Sequence, residues 1–403
     1  MLCRRRVLHL MLATGGLFGA SLGAPSNEVS SAGAAGPPLI TTSLIRVAFS
    51  SPSQGVGLFQ TERARRDGAG RVSCTLYTRP TGNGGVSFGA RGAVLAHTNC
   101  ANGAAFSTLG FDKGGVLFAY GPGLRVSANR GRTWSTALLP GGTAALAGTG
   151  ASTWALTTSC HAGAQSCRLT LSCTTDGGRS WTRAPEQPPD HTISSFAALG
   201  AEHGSSSLMA AAPDGTLMLA LPERPVSATG PIPPRVLVER LNPRAGTWQV
   251  TKVSCASGGF GAELSVAPDG SAWLACGSEP GAGAQVKSLA RTPGNGMDWH
   301  TIVAACVPGP GCHDTMPLSG YLDGLYALNS QTAFYIGDRS SLTATFNGGR
   351  SWRTWPRIGG SDAGTTEVTF VNQTDGWAIA QAPFSGGAAL WVTHDGGREW
   401  ARS

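Results

Sequence analysis

The chain is predicted to fold as an all-β ring, a seven-bladed β-propeller of four-stranded blades closed by an N-terminal strand. Three observations predict it: an eight-residue turn motif recurring about every 52 residues, an apolar hairpin before each copy, and no helical periodicity after the first 24 residues.

The turn motif runs hydroxyl residue, spacer, Asp or Asn, two glycines or near-glycines, a variable residue, a small polar residue and an aromatic. Clear copies occupy 81–88 (TGNGGVSF), 127–134 (SANRGRTW), 174–181 (TTDGGRSW), 345–352 (TFNGGRSW) and 393–400 (THDGGREW). Degenerate copies at 241–248 (LNPRAGTW) and 292–299 (TPGNGMDW) bring the count to seven. Successive starts lie 46, 47, 67, 51, 53 and 48 residues apart, the length of one four-stranded blade.

Within each turn the glycines supply positive φ. The side chains of Asn83, Asn129, Asp176, Asn347 and Asp395 are expected to accept hydrogen bonds from nearby amides. The closing Trp134, Trp181, Trp248, Trp299, Trp352 and Trp400 are large enough to wedge between blades. These residues are therefore expected to hold the fold rather than to meet a ligand.

A strand, a tight turn and a second apolar strand precede each motif. They read as VAFSSPSQGVGLF (47–59), LGFDKGGVLFAY (109–120), LAGTGASTWALT (146–157), MAAAPDGTLMLAL (209–221), LSVAPDGSAWLAC (264–276), LYALNSQTAFYIG (325–337) and VTFVNQTDGWAIA (368–380). Seven strand pairs thus precede seven turns. Only three residues follow Trp400, so the last blade is short of an outer strand, and LITTSLI (39–45) is expected to supply it and lock the ring.

The first 24 residues read as a signal peptide. Arg4, Arg5 and Arg6 form a positive start, 7–18 a broken apolar core and 19–24 a small-residue cleavage region. Residues 25–38 (PSNEVSSAGAAGPP) read as a flexible linker, and 39–403 as the propeller. No later stretch is long and apolar enough to span a bilayer. The product is thus expected to be exported, either secreted or associated with the cell envelope.

Without the leader, 27 basic residues face 23 acidic ones. That balance is too mild for a nucleic-acid partner. No glycine-rich loop follows a strand and opens a helix, so no cofactor is expected. Nine cysteines remain after Cys3 is set aside, and local pairs are visible at Cys74 with Cys100, Cys160 with Cys167, Cys255 with Cys276, and Cys306 with Cys312. Cys173 is left over. The spacing of Cys160, His161, Cys167 and Cys173 does not follow a zinc pattern, so disulfides are expected and no metal.

The turn motif resembles the Asp box, or bacterial neuraminidase repeat. FVNQTDGWAIA followed by THDGGREW is similar to the repeat of the photosystem II assembly and stability factor family. That resemblance spans nearly the whole chain after the leader. It implies an exported, non-enzymatic propeller that binds a protein partner as an assembly or scaffold module; the chain is expected to be a monomer whose partner is a protein or a glycan. The long insertions 182–206 and 221–240 flank the inner strands of the fourth repeat and are the expected partner surface.

A sialidase-like glycoside hydrolase is the alternative. Residues 58–85 (LFQTERARRDGAGRVSCTLYTRPTGNGG) resemble the sialidase run before the first Asp box. That likeness implies Arg46 as a carboxylate-binding arginine, Asp67 as general acid and Glu62 on a strand, with Tyr321 or Tyr326 as the tyrosines on offer beside Asp323. Against it, the family's Arg-Ile-Pro is Arg46-Val47-Ala48 here, and seven repeats stand where sialidases have six blades.

Overall fold

The computed structural model describes residues 40–403 except 65–71, 101–105, 149–151, 161–165, 190–191, 195–207, 224–234, 243–244, 256–260, 305–319, 339–340, 359–363, 382–387 and the single positions 107, 113, 122, 280, 282, 295 and 357. The leader and the linker lie outside the described residues.

Twenty-nine strands form seven antiparallel sheets among these residues. Blade 1 holds β1 (Ile40–Phe49), β2 (Gly55–Ala64), β3 (Val72–Thr81) and β4 (Val94–Asn99). Blade 2 holds β5 (Thr108–Phe111), β6 (Leu117–Tyr120), β7 (Leu124–Ser127) and β8 (Ser135–Ala137). Blade 3 holds β9 (Gly142–Gly148), β10 (Thr153–Cys160), β11 (Ser166–Thr174) and β12 (Thr182–Arg183), and carries a further short strand, β13 (Thr192–Ser194), on β11. Blade 4 follows with β14 (Met209–Ala211), β15 (Leu217–Pro222), β16 (Arg235–Asn242) and β17 (Thr247–Ser254). Blade 5 is β18 (Gly261–Val266), β19 (Ala272–Gly277), β20 (Lys287–Thr292) and β21 (His300–Ala304). Blade 6 is β22 (Tyr321–Ala327), β23 (Ala333–Asp338), β24 (Leu342–Thr345) and β25 (Arg353–Trp355). Blade 7 is β26 (Gly364–Phe370), β27 (Gly376–Gln381), β28 (Ala388–Thr393) and β29 (Ala401–Arg402).

Strand order within each blade follows the chain, and the first strands meet around the ring, β1 on β5, β9 on β14, β14 on β18, β18 on β22, β22 on β26 and β26 on β1. The seven-bladed, four-stranded, all-β architecture is thus the one the repeats predict. Each apolar hairpin joins the first two strands of a blade, and each turn motif joins the last two.

Both faces of a blade are covered, so central strands are apolar along their length and not only at alternate positions. All six residues of β19 (AWLACG) are buried. The apolar contacts fall into clusters at the blade seams. Leu58 and Leu76 meet Leu109 and Leu117 between blades 1 and 2, and Leu156, Leu169 and Leu171 meet Leu217 and Leu219 between blades 3 and 4. Phe334 and Ile336 meet Val368 and Phe370 between blades 6 and 7. Each such fully buried side chain contributes about 2 kcal/mol, so stability is distributed around the ring.

Closure differs in detail from the sequence expectation. Residues 40–45 do not add a strand to the last blade. They continue β1, which pairs with β2 from Ile40 opposite Arg63 onward. The last blade's outer strand is its own β29, paired to β28 at Trp391 with Arg402 and Val392 with Ala401. The reason is proximity: β2 and β3 each run for ten residues and offer 40–45 a partner a short hairpin away, at less loop entropy than a partner across the ring.

The N-terminal strand does meet the last blade, but through side chains. Phe49 stacks on Trp377 with ring centroids 3.5 Å apart and planes 3° from parallel. Trp377 Nε1 donates to Gly84 O at 2.7 Å, and Gln381 Nε2 donates to Leu44 O at 3.3 Å.

Candidate functional site

The turns are self-contained hydrogen-bond units. Thr81, Ser127, Thr174, Thr345 and Thr393 each donate the hydroxyl to the Asx Oδ1 two residues on, at 2.8–3.1 Å. The same hydroxyls accept from the amides of Gly85, Gly131, Gly178, Gly349 and Gly397 at 2.8–3.0 Å. Each Asx Oδ1 also accepts from the amide four residues on, that of Ser87, Thr133, Ser180, Ser351 or Glu399. Burial alone would raise the Asp176 carboxyl, but donors from Ser180, Thr174 and Arg179 outweigh it and hold Asp176 well below the usual carboxylate range. The amides of Glu399 and Arg398 and the Thr393 hydroxyl likewise outweigh burial and hold Asp395 low.

The aromatics of the turns sit in the seams. Trp134 packs on the cluster between blades 1 and 2, Trp181 on that between 2 and 3, and Trp248 on that between 3 and 4. Trp299, Trp352 and Trp400 take the next three seams, and Phe88 takes that between blades 7 and 1.

Titratable groups converge at the closing seam. Arg46 on β1 and Glu367 on β26 each follow a register shift in the first strand of their blade, where a bulge re-aims the side chain. They occupy the same repeat position, before Val47 and Val368. Glu367 Oε2 accepts from the Val47 amide at 3.0 Å. Burial pushes the Glu367 carboxyl up to about 7, with the Arg46 charge and the Val47 bond only partly opposing it. Arg46 is 9% exposed and donates Nη1 to Ile45 O at 2.6 Å. Tyr120 of blade 2 faces the same pair, and burial pushes its phenol up to about 12.

Among the described residues, those implied by the sialidase resemblance do not gather at one place. Glu62 pairs across the ladder with Thr41 whereas Arg46 pairs with Leu58, four rungs away, which is about 13 Å along the strand. Glu62 accepts from Gln60 Nε2 at 2.8 Å. Asp67 lies outside the described residues. Tyr326 is half-buried, donates to Phe370 O at 3.2 Å and is pushed by desolvation up to about 12, and the Tyr321 hydroxyl accepts from the Gly283 amide at 3.0 Å. A nucleophilic tyrosine needs the opposite shift.

Among the described residues every cysteine is in a bridge. Cys74–Cys100, Cys160–Cys167 and Cys255–Cys276 are disulfides. Cys173, odd by sequence, is disulfide-bonded as well, while Cys306 and Cys312 lie outside the described residues. Glu62 stands beside Cys74 and Cys100 with ligand-like spacing. Both sulfurs are already bonded to each other, so the trio cannot coordinate a metal as thiolates do. Most of the two long insertions also lies outside the described residues.

Sequence reasoning missed Glu367, Tyr120 and Arg130. Glu367 and Tyr120 gave no signal, because their convergence depends on blades far apart in sequence. Arg130 did give one: among the five clear motifs it alone replaces the first glycine.

The fold has known counterparts. No protein-family description matches the chain, and no curated protein matches it. Among solved structures it is similar to YCF48 bound to D1 peptide, at 16% identity, a TM-score of 0.51, and coverage of 90% of this chain and 96% of that one. It is also similar to the β-propeller domain of the Trilobed protease from Pyrococcus furiosus, whose topology is described as open velcro, at 8% identity, a TM-score of 0.51, and coverage of 90% and 97%. A Hadza microbial sialidase, Hz136, is more distant, at 12% identity, a TM-score of 0.41, and coverage of 88% and 66%. The assembly-factor resemblance read from the turns is thus met, at the level of fold, by YCF48 among the structural neighbours.

Proposed function

We infer that the chain is an exported, non-enzymatic propeller that acts as a protein-binding or scaffold module. The observation that carries this reading is the closing seam, where the Val47 amide donates to Glu367 and ties blade 1 to blade 7, with the buried Arg46 and the half-buried Tyr120 of blade 2 beside it. A glycosidase would need two carboxyl groups paired at a fixed separation across a cleft, whereas Glu367 is engaged with the backbone of the neighbouring blade. YCF48, a protein of similar fold, is known bound to a peptide, which fits the use of such a ring to hold a polypeptide. Three disulfides and the lack, among the described residues, of any helix long and apolar enough to cross a membrane fit an exported product.

Residues 1–24 act as the signal peptide and 25–38 as the tether of a monomer. The partner surface is assigned to the loops of blade 4. Glu223 accepts from Lys252 at 2.7 Å, so the deletion that tests the surface begins after it. Removal of 224–234 should abolish capture of a partner from envelope extract while leaving the thermal melt intact. Unchanged capture by the deleted chain would overturn the assignment.

A further inference from the structure

Between blades 1 and 2 the surface is cut by a groove of two adjoining cavities of about 370 and 190 Å³ that share Pro80, Arg130 and Arg132. The larger is of the size that holds a small organic ligand. Its walls are the ring of Pro80 and the half-buried Phe111, and Ser50 and Gln54 face the same space.

Arg130 is the anomaly. Its φ is +57°, and the residues at the same position of the other clear turns are Gly84, Gly177, Gly348 and Gly396, with φ of 69–74°. Among the described residues no other non-glycine has positive φ. A side chain is strained in that conformation, and strain of this kind is kept where a site requires it. Nothing in the fold uses the guanidinium: neither Arg130 nor Arg132 has a side-chain hydrogen bond or ion pair among the described residues, and both are exposed. Two uncompensated cations thus stand where the two cavities meet.

We propose that this groove is a binding site for an acidic saccharide, a pyranose disaccharide bearing carboxylate or sulfate, held by Arg130 and Arg132. Guanidinium groups pair with a planar carboxylate or a sulfate through two parallel N–H donors. Pro80 and Phe111 offer flat apolar faces to the C–H face of a sugar ring, and the Gln54 carboxamide and Ser50 hydroxyl reach its hydroxyls. An extended peptide fits less well, because it would need a free ladder of backbone groups. The amides of the lining residues Gly131 and Arg132 are occupied: Gly131 donates to Ser127 Oγ and Arg132 to Asn129 O. The site is separate from the blade 4 surface and does not rest on that assignment.

The test is calorimetric titration of the folded chain with digalacturonate, its dimethyl ester and an acetylated aspartyl-aspartate dipeptide, followed by Arg130→Gly, Arg132→Ser and, as control, Arg350→Ser. Digalacturonate is expected to bind, with the ester and both groove variants at least tenfold weaker and Arg350→Ser unchanged. Arg130→Gly restores the residue that the other turns use, so it should melt no lower than the parent while losing the ligand. Absence of digalacturonate binding, equal binding of the ester, or undiminished affinity in Arg130→Gly would overturn the proposal. Preference for the dipeptide would overturn it in favour of an acidic peptide.

Discussion

Glu367→Gln isolates the electrostatic cost of closing the ring. In the folded chain burial raises this carboxyl from 4.5 to about 7. The folded state therefore holds the proton more tightly than the unfolded state. Its contribution to stability is complete below pH 4.5 and is lost as pH rises through about 7. At about 1.4 kcal/mol for each tenfold change in proton affinity, the loss approaches about 3 kcal/mol by pH 8. Glutamine keeps a carbonyl oxygen for the Val47 amide but carries no proton to lose. The variant should match the parent at pH 4 and exceed it at pH 8 by up to about 3 kcal/mol. Denaturant unfolding of both proteins at the two pH values gives a double difference in which every other titrating group cancels. A variant no more stable than the parent at pH 8, or a difference that does not change with pH, would refute the reasoning.

Further outcomes follow from the same geometry. Thr345→Val removes the acceptor of the buried Gly349 amide and the donor to Asn347; it should cost about 1–3 kcal/mol in denaturant unfolding. Trp377→Phe keeps the stack on Phe49 but loses the bond to Gly84 O, and should lower the unfolding free energy by about 1 kcal/mol. Asp176 is held low by its turn, so its contribution is present above 3.8 and lost as pH falls below that value. Asp176→Asn should therefore flatten the acid limb of the melting profile. Replacing Cys255 and Cys276 by serine opens a bridge across 21 residues and should cost about 3 kcal/mol, read as a lower denaturant midpoint.

The ring was legible in the sequence because its parts repeat. The turn at 174–181 carries its whole hydrogen-bond set in eight residues, and its spacing placed it after the apolar hairpin of a blade. The closing strand was not legible, since 40–45 could pair equally well, by pattern, with β2 or with a distant blade. Only the competition between near and far partners decides it. Arg46 shows the same limit for sites. Its motif context suggests an exposed carboxylate binder, while its burial depends on a bulge in β1 and on Glu367, which lies 321 residues later in the chain. Arg130 stands between these cases: its departure from the repeat is visible in the sequence, but its unpaired charge and the cavities beside it are visible only in three dimensions.

Hydrolysis of a fluorogenic sialoside by the folded chain tests most directly whether the seam is structural or catalytic. No turnover above buffer is expected between pH 4 and 8, and Arg46→Ala should instead lower the melting temperature by loosening blade 1 from blade 7. Turnover that disappears in Arg46→Ala while the melt stays unchanged would contradict the binding-module reading and restore Arg46 to an active site.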